Sequence, residues 1–514
     1  MMKSRIVNSS RNALWGVFNK FTTILFPFVT RTIIIYVLGA EYIGLDSLFV
    51  SIFQMLNLME VGFGSAMVFN MYKPIAERDE DTICALLKFY KKVYMVIGYV
   101  VLFIGIVAMF LLPYLINGTV PSGININLLY VLYLLNTVFG YFFYAYRASI
   151  LTAHQQDYIG GRISSVLHLV IYTLQIISLL IFKNYYIYIL FLPIFSVLFN
   201  LLRNRKVSKL YPQYVARGKI KEDLIKGTKK NIIGLVGFRL EGYALNSVDN
   251  IILSSFLGLT SLAYFANYYY IISALTGILT VCYNAMTASI GNSLCTESAE
   301  KNIRDFHFLT FLNTWLVGWC SVCLICLYQH FIVIWVGNEY LLSLTSVILF
   351  VLYFMVNHLR RIVTTYRDAA GLWWSDKIRP YLVVILNIVL DIIFVQVWGI
   401  NGILTSTVFL SAFISIPWEL HILFKNIFIK EQKIDYYILL FKYLLEIALG
   451  GVVSYLICVS VGTDSIRTFI IKIIVCCLVP NLVFVLLNLR NKNMIRAYET
   501  IRQMIRRDNQ NERD

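Results

Sequence analysis

The sequence predicts an all-α polytopic membrane protein of about fourteen transmembrane helices, on three observations. Hydrophobic residues fill 59% of the 514 positions and charged residues only 14%, at a mean hydropathy of +0.72. That is more apolar surface than a water-soluble core can hide. Low-charge runs of about 20 residues, the length a helix needs to span a bilayer, recur from end to end. Basic residues crowd alternate connecting segments, the bias that marks cytoplasmic loops. With 9 Pro and 28 Gly in the whole chain, most runs are uninterrupted, which fits helices rather than barrel strands.

The first run, Leu14 to Leu38, carries Lys20, Pro27 and Arg31 and has no small-residue cleavage site. It reads as a retained first helix and not as a signal peptide. Further spans are predicted at 44–70, 93–116, 127–150, 164–182, 186–202, 232–257, 262–290, 306–328, 342–364, 379–398, 402–424, 437–460 and 467–488. With the N-terminus in the cytoplasm, most of the 44 Lys and Arg fall in cytoplasmic segments, most densely at 203–230 and again in the tail 490–514. Both termini are therefore expected inside. The formal charge of +16 is a signature of topology and not of nucleic-acid binding. The outer loops are short, which disfavours a glycan polymerase or glycosyltransferase needing a sizeable external domain. The cysteines lie mostly inside apolar runs. Cys320, Cys323 and Cys326 repeat every third residue, but with no fourth ligand or following Pro they read as small packing residues.

An internal repeat divides the chain. A shift of about 219 residues lays Arg11-Asn12 on Lys230-Asn231, Lys20 on Arg239 and Leu38-Gly39 on Leu257-Gly258. One more residue of shift matches Glu77, Glu80 and Ile83 to Glu297, Glu300 and Ile303, then Val131-Leu132-Tyr133 to Val351-Leu352-Tyr353, and Tyr146-Arg147 to Tyr366-Arg367. Charges and loop residues matching in order exceed what two apolar helices share by composition. Each copy holds six helices, an even number, so both insert the same way round. The expected organisation is a lobe at 1–202, a basic cytoplasmic linker at 203–231, a second lobe at 232–424, an accessory helix pair at 425–488 and a basic cytoplasmic tail at 489–514. Ligands of such repeats sit between the lobes near the midplane.

Ionisable groups within spans are costly and normally face protein or a water-filled cavity, which makes each a candidate. Lys20, Pro27 and Arg31 share one face of the first helix; Arg239, Asn246 and Asn250 repeat that stripe in the seventh, with Asp249 beside it. The second helix is expected to present Asp46, Asn57, Glu60 and Gly64 on one face, and the fourth Asn136, Gly140, Tyr144 and Arg147. His168, Tyr172 and Gln175 share a face of the fifth helix, and Asn387 and Asp391 lie one turn apart in the eleventh. The cations Lys20, Arg31, Arg239, Arg147 and Arg367 form the candidate site for an anionic headgroup, because a cation cluster in a low-dielectric cleft attracts anions and Arg suits phosphate oxygens. Glu60, Asp249 and Asp391 are candidates for ion coupling, since burial can raise a carboxylate toward neutrality. Asn57, Asn246, Asn250 and His168 are candidates for a polar cavity lining. No Walker A loop, zinc-binding His pair or serine elbow is present, so no cofactor, metal or catalytic residue is expected.

The segments Arg31-x7-Gly39-Ala-Glu-Tyr-Ile-Gly-Leu45, Glu60-Val-Gly-Phe-Gly64 and Tyr72-Lys-Pro-Ile-Ala76 resemble the polysaccharide flippase family. This is the Wzx-type branch of the MOP superfamily, which also contains the lipid II flippase and the MATE exporters. The resemblance implies two six-helix lobes, alternating access by lobe rocking, and a bacterial inner-membrane location. It also implies translocation of an undecaprenyl-pyrophosphate-linked oligosaccharide between leaflets, for capsule, O-antigen or exopolysaccharide assembly. Lys20, Arg31 and Arg239 are the positions matching the family's cavity cations; Asp249 beside Arg239 departs from a purely cationic lining. Implied partners are the lipid-linked oligosaccharide, membrane lipids, and a glycan polymerase and chain-length regulator. A MATE-like H⁺- or Na⁺-coupled exporter and a non-transporting scaffold for glycan-assembly enzymes remain as alternatives.

Overall fold

Hydrocarbon offers no partner to a backbone N–H or C=O, so apolar runs that enter it must form helices that satisfy themselves. The computed structural model describes the backbone of residues 2–60, 63–118, 120–220, 222–428, 432–462 and 465–511. The side chains of 2–10, 12–14, 17, 59, 65, 222–236, 239, 244, 432, 501 and 504–511 also lie outside the described set. The protein is 88% helical, with no strand among the described residues. In chain order the helices are α1 (Met2–Val37), α2 (Glu41–Asn57), α3 (Phe63–Glu77), α4 (Glu80–Met109), α5 (Leu112–Leu115), α6 (Ile126–Phe142), α7 (Ala148–Ala153), α8 (Asp157–Phe182) and α9 (Tyr185–Leu210). They continue as α10 (Glu222–Thr296), α11 (Ala299–Val336), α12 (Leu344–Ala369), α13 (Arg379–Trp398), α14 (Ile400–Leu410), α15 (Ile416–Asn426), α16 (Gln432–Ser460), α17 (Ile466–Asn488) and α18 (Lys492–Asn511).

Among the described residues, 11 helices are long and apolar enough to cross a bilayer, or up to 12 when α6 and α7, bent by 49°, count as one span. Their outward faces suit lipid. Ile470, Ile474, Leu478, Leu482 and Leu486 repeat every fourth residue along α17 and are all exposed, a stripe no water-soluble surface would carry.

Three departures from the predicted spans each have a local reason. The second span divides into α2 and α3 around a 3-10 turn, Leu58–Glu60, so Glu60 and Gly64 do not continue the face that Asp46 and Asn57 share. The fourth ends at Tyr144, whose left-handed backbone (φ 59°) stops α6 and separates Arg147 from the Asn136–Gly140 face. The seventh and eighth run together as α10, whose 75 residues would stretch about 110 Å if straight. Gly258, at φ 82° and ψ 176°, breaks it. There Asn117 covers two freed carbonyls, its backbone N–H donating to Ser254 O (3.0 Å) and its Nδ2 to Phe256 O (2.7 Å). Gly39, the repeat partner of Gly258, ends α1 at φ 117° and caps it by donating to Ile34 O (3.0 Å). Both copies thus place a positive-φ glycine after the first helix. The repeat also extends to the caps: Asp79 opens α4 by accepting from Thr82 N (3.0 Å), and Ser298 opens α11 by accepting from Lys301 N (3.3 Å).

By contacts, the chain forms two compact units, one of 1–267 with 380–403 and one of 268–379 with 404–514. In the first, α1 lies along α8, where Asn19 Nδ2 donates to Ser165 Oγ (3.2 Å) and Phe26 stacks on Tyr172. In the second, α16 and α17 pack together and onto α11, with Trp315 Nε1 donating to Asn481 (2.8 Å).

Close backbone approach in the first unit depends on Gly44, where a Cβ would stand 2.1 Å from Leu259 O. Gly44→Ala is expected to destabilise the protein by about 1–3 kcal/mol or more, seen as earlier thermal unfolding in detergent. Gly140→Ala, with nothing within 4 Å of the new atom, should leave the transition unchanged or slightly later.

Candidate functional site

Nearly all the candidate residues fall in the first compact unit; Arg367 belongs to the second. On α1 the Lys20–Pro27–Arg31 stripe occupies a face of its own. It lies between the face carrying Thr22, Phe26 and Thr30 toward the protein and the exposed face of Phe21, Leu25, Val29 and Tyr36. Lys20 is exposed and Arg31 half-buried, about 16 Å apart along the axis.

Arg31 is the better defined of the two. Its Nε donates to Asn267 Oδ1 at 2.8 Å, and it lies within electrostatic reach of Asp46, Tyr185 and Tyr188. Asn267 is 1% exposed, and with its oxygen held by Arg31 its Nδ2 is a buried donor with no acceptor among the described residues. Asp46 accepts from the Tyr133 hydroxyl, which lies 3.3 Å from that of Tyr185. The Arg31 end of the unit is therefore a cation and an orphaned amide donor beside a tyrosine-lined carboxylate.

A second polar centre surrounds Glu60. Tyr94 donates to Glu60 Oε1 and receives a hydrogen bond from Tyr90 (3.1 Å), while Tyr141 donates to Asn57 Oδ1 (2.7 Å). Arg203 lies within electrostatic reach of Glu60. It donates to Asn200 Oδ1 (2.6 Å) and covers Ala145 O at 3.5 Å, in the turn that the Tyr144 break opens. Arg203 was grouped with the basic linker by its sequence position; only its packing marks it as part of this centre.

Several stripes that looked wet in the sequence are seams between helices. Asp46 and Asn57 both face tyrosines of α6. Asn136 accepts from Ser196 of α9 (2.6 Å). Asn250 Nδ2 donates to Ser51 Oγ of α2 (2.8 Å). His168 is stacked between Phe195 (4.4 Å) and Tyr172 (5.3 Å). Asn246 is half-buried; Asp249, Asn387 and Asp391 are buried, the last two on one face of α13. The Arg239 side chain lies outside the described residues.

The repeat partners Arg147 and Arg367 are held by different chemistry. Arg147 donates to Asn204 Oδ1 (2.7 Å), to Ser208 Oγ and to Tyr214 O (3.2 Å), all neutral. Near them, burial pushes the His154 imidazole down from its ordinary value, so it stacks as a neutral ring on Tyr211. Arg367 pairs with Glu419 (2.6 Å), Asp376 (2.8 Å) and Asp368 (2.8 Å). Glu419 also holds Arg360 (2.8 Å) and Arg379 (2.9 Å), and Arg379, Asp376 and Glu419 are fully buried. The charge of Arg367 is thus committed to an internal network.

Comparison of the sequence with protein families and with curated proteins finds no match. Comparison with solved structures does. The chain is similar to the lipid II flippase MurJ in an inward closed conformation, at TM-score 0.64 and 16% identity, over 94% of this chain and 99% of that one. It is similar to a multidrug resistance MATE family transporter in an inward-facing conformation, at TM-score 0.59 and 13% identity, over 77% and 94%. A third likeness is to the Vibrio cholerae MATE transporter VcmN, at TM-score 0.53 and 14% identity, over 83% and 99%. The likeness to all three is one of fold. That fold is a multi-pass, all-helical membrane architecture, as the hydropathy and the repeat predicted.

Because Glu419 is the carboxylate shared by three guanidinium groups, Glu419→Gln is expected to cost about 3–5 kcal/mol by leaving a buried cation uncompensated. A thermal transition in detergent equal to that of the wild type would show the network to be dispensable.

Proposed function

We propose that the chain is a flippase carrying an undecaprenyl-pyrophosphate-linked oligosaccharide repeat unit from the cytoplasmic to the outer leaflet of the bacterial inner membrane, for surface polysaccharide assembly. The observation that carries this reading is the Arg31–Asn267 pair: a guanidinium and an orphaned buried amide donor together offer hydrogen bonds suited to the oxygens of a pyrophosphate. Lys20 extends the cationic stripe of α1, Arg147 receives the headgroup at the cytoplasmic side, and Arg239 is a further cation for it by its position in the repeat. Arg367, neutralised in its own network, positions the end of α12. A glycan is too polar to cross hydrocarbon unaided, whereas a polyprenyl tail need not leave it, so a cleft open sideways to lipid suffices. In this reading the repeat lobes 1–202 and 232–424 alternate access, and the accessory pair 425–488 holds the tail. Likeness to a lipid II flippase over 94% of the chain agrees with that role.

Complementation of a flippase-deficient strain tests the reading. Surface glycan and outer-leaflet intermediate should return; inserted protein that leaves the intermediate inside would end it. Efflux of small organic cations without headgroup transfer would assign the chain to the exporter class.

Arg31→Ala should lower headgroup affinity about 10- to 100-fold, the equivalent of one charge-assisted hydrogen bond, at wild-type protein levels. Unchanged transport removes Arg31 from the site. Among the coupling candidates Glu60, Asp249 and Asp391, Glu60 has the hydroxyl relay of Tyr94 and Tyr90 attached. Glu60→Gln is expected to lower transport at wild-type protein levels, and unchanged transport would exclude it.

A further inference from the structure

Three thiols from three helices meet inside the second compact unit. Cys326 of α11, Cys458 of α16 and Cys476 of α17 have their sulfurs all within 4.8 Å of one another, and the three residues are 8%, 2% and 0% exposed. Packing alone does not require sulfur to converge from three separate helices. Val322, Cys323, Ile325, Leu327, Ile447, Tyr455 and Val475 close around the cluster, and Trp319 Nε1 donates to Cys476 O (3.0 Å), fixing the register of α17 on α11.

The spacing fits a shared ion. Three sulfurs around one ion at a metal–sulfur distance of about 2.3 Å stand about 4.0 Å apart when the geometry is trigonal. Cys458 Sγ and Cys476 Sγ are 3.9 Å apart, far beyond the ~2.05 Å of a disulfide. A closed zinc site would want a fourth ligand; the Cys323 thiol contacts Cys476 O at 3.9 Å and the Cys476 thiol, but lies outside the group whose sulfurs are all within 4.8 Å of one another. Thiolates are soft donors and select soft ions. Charge points the same way. Lys472 lies one turn before Cys476 on α17, is 4% exposed, and is within electrostatic reach of both Cys458 and Cys476. A buried ammonium in a span is costly, and neighbouring thiolates offset that cost.

We propose that Cys326, Cys458 and Cys476 form a trigonal site for a soft monovalent d¹⁰ ion, Cu(I), that clamps the accessory helices α16 and α17 to α11. Binding replaces three S–H bonds by three S–Cu bonds and releases three protons. The resulting net charge of −2 on the site is partly balanced by Lys472. No electron is transferred.

The test uses the full-length protein in detergent, reduced and anaerobic, titrated with chelator-buffered Cu(I). One equivalent should bind, with a thiolate-to-copper charge-transfer band in the ultraviolet, a shell of three sulfurs at about 2.3 Å in X-ray absorption, and later thermal unfolding. Cys458→Ser and Cys476→Ser should each weaken binding more than about 100-fold, beyond the 10- to 100-fold typical of outer-shell changes. Lys472→Met should weaken it about tenfold, in that range. Cys282→Ser and Cys295→Ser, at exposed positions, should have no effect. The proposal is overturned if wild-type protein binds no Cu(I) against the chelator, if its absorption shell shows two sulfurs, or if the Cys458→Ser, Cys476→Ser double variant binds as tightly. It is also overturned if the reduced wild-type protein, digested under acid, yields a Cys458–Cys476 disulfide peptide in place of free thiols. The absorption measurement needs no variant, so it decides even where a substitution impairs folding.

Discussion

Every break in a helix within hydrocarbon frees backbone groups that only protein can satisfy, and this constraint shapes the molecule. The break at Gly258 exists because Asn117 arrives to take two carbonyls. That at Tyr144 leaves Ala145 O for Arg203. Gly39 closes α1 on Ile34 O. Irregular backbone is placed where a polar side chain or a neighbouring strand of main chain already stands, and the candidate polar centres cluster at those places. Arg203 is both a cap for the broken fourth span and a charge near Glu60; the same side chain serves structure and field.

The fold was largely legible. Hydropathy located the helices, and the repeat matched Leu38-Gly39 with Leu257-Gly258, which are now seen to share a left-handed turn-ending role. Periodicity failed where it assumed unbroken helices. The face drawn from Asp46 through Gly64 ignored the turn at Leu58–Glu60, since Met-Glu-Val-Gly-Phe-Gly carries no proline to announce a stop. It also could not tell a wet surface from a seam. Asp46 and Asn57 fall on one face as drawn, but the hydroxyls of Tyr133 and Tyr141 fill it, and tyrosines eight residues apart on another helix leave no mark at positions 46 and 57.

The cations were located by sequence but not their partners. Tyr146-Arg147 and Tyr366-Arg367 are matched positions with opposite surroundings, amide and hydroxyl oxygens in one copy and carboxylates in the other. Glu419 was not singled out in the sequence, because its link to Arg367 depends on helix packing across 52 residues of chain. Asn267 had no signal at all. A lone asparagine in a span reads as packing until its oxygen is found on Arg31. Cys320, Cys323 and Cys326 were weighed as one helix's spacing, and that spacing carries no trace of Cys458 and Cys476, which meet Cys326 from more than a hundred positions later.

The link between Arg367 and Glu419 also constrains how the chain is made. At synthesis rates of about 5–20 residues per second, the carboxylate follows the guanidinium by roughly 3–10 s. For that interval Arg360 and Arg367 of α12 lack the carboxylate they share, and ionisable groups within a span are costly until they are paired. The network is complete only once α12 through α15 have all been made, so these helices reach their final packing as a group.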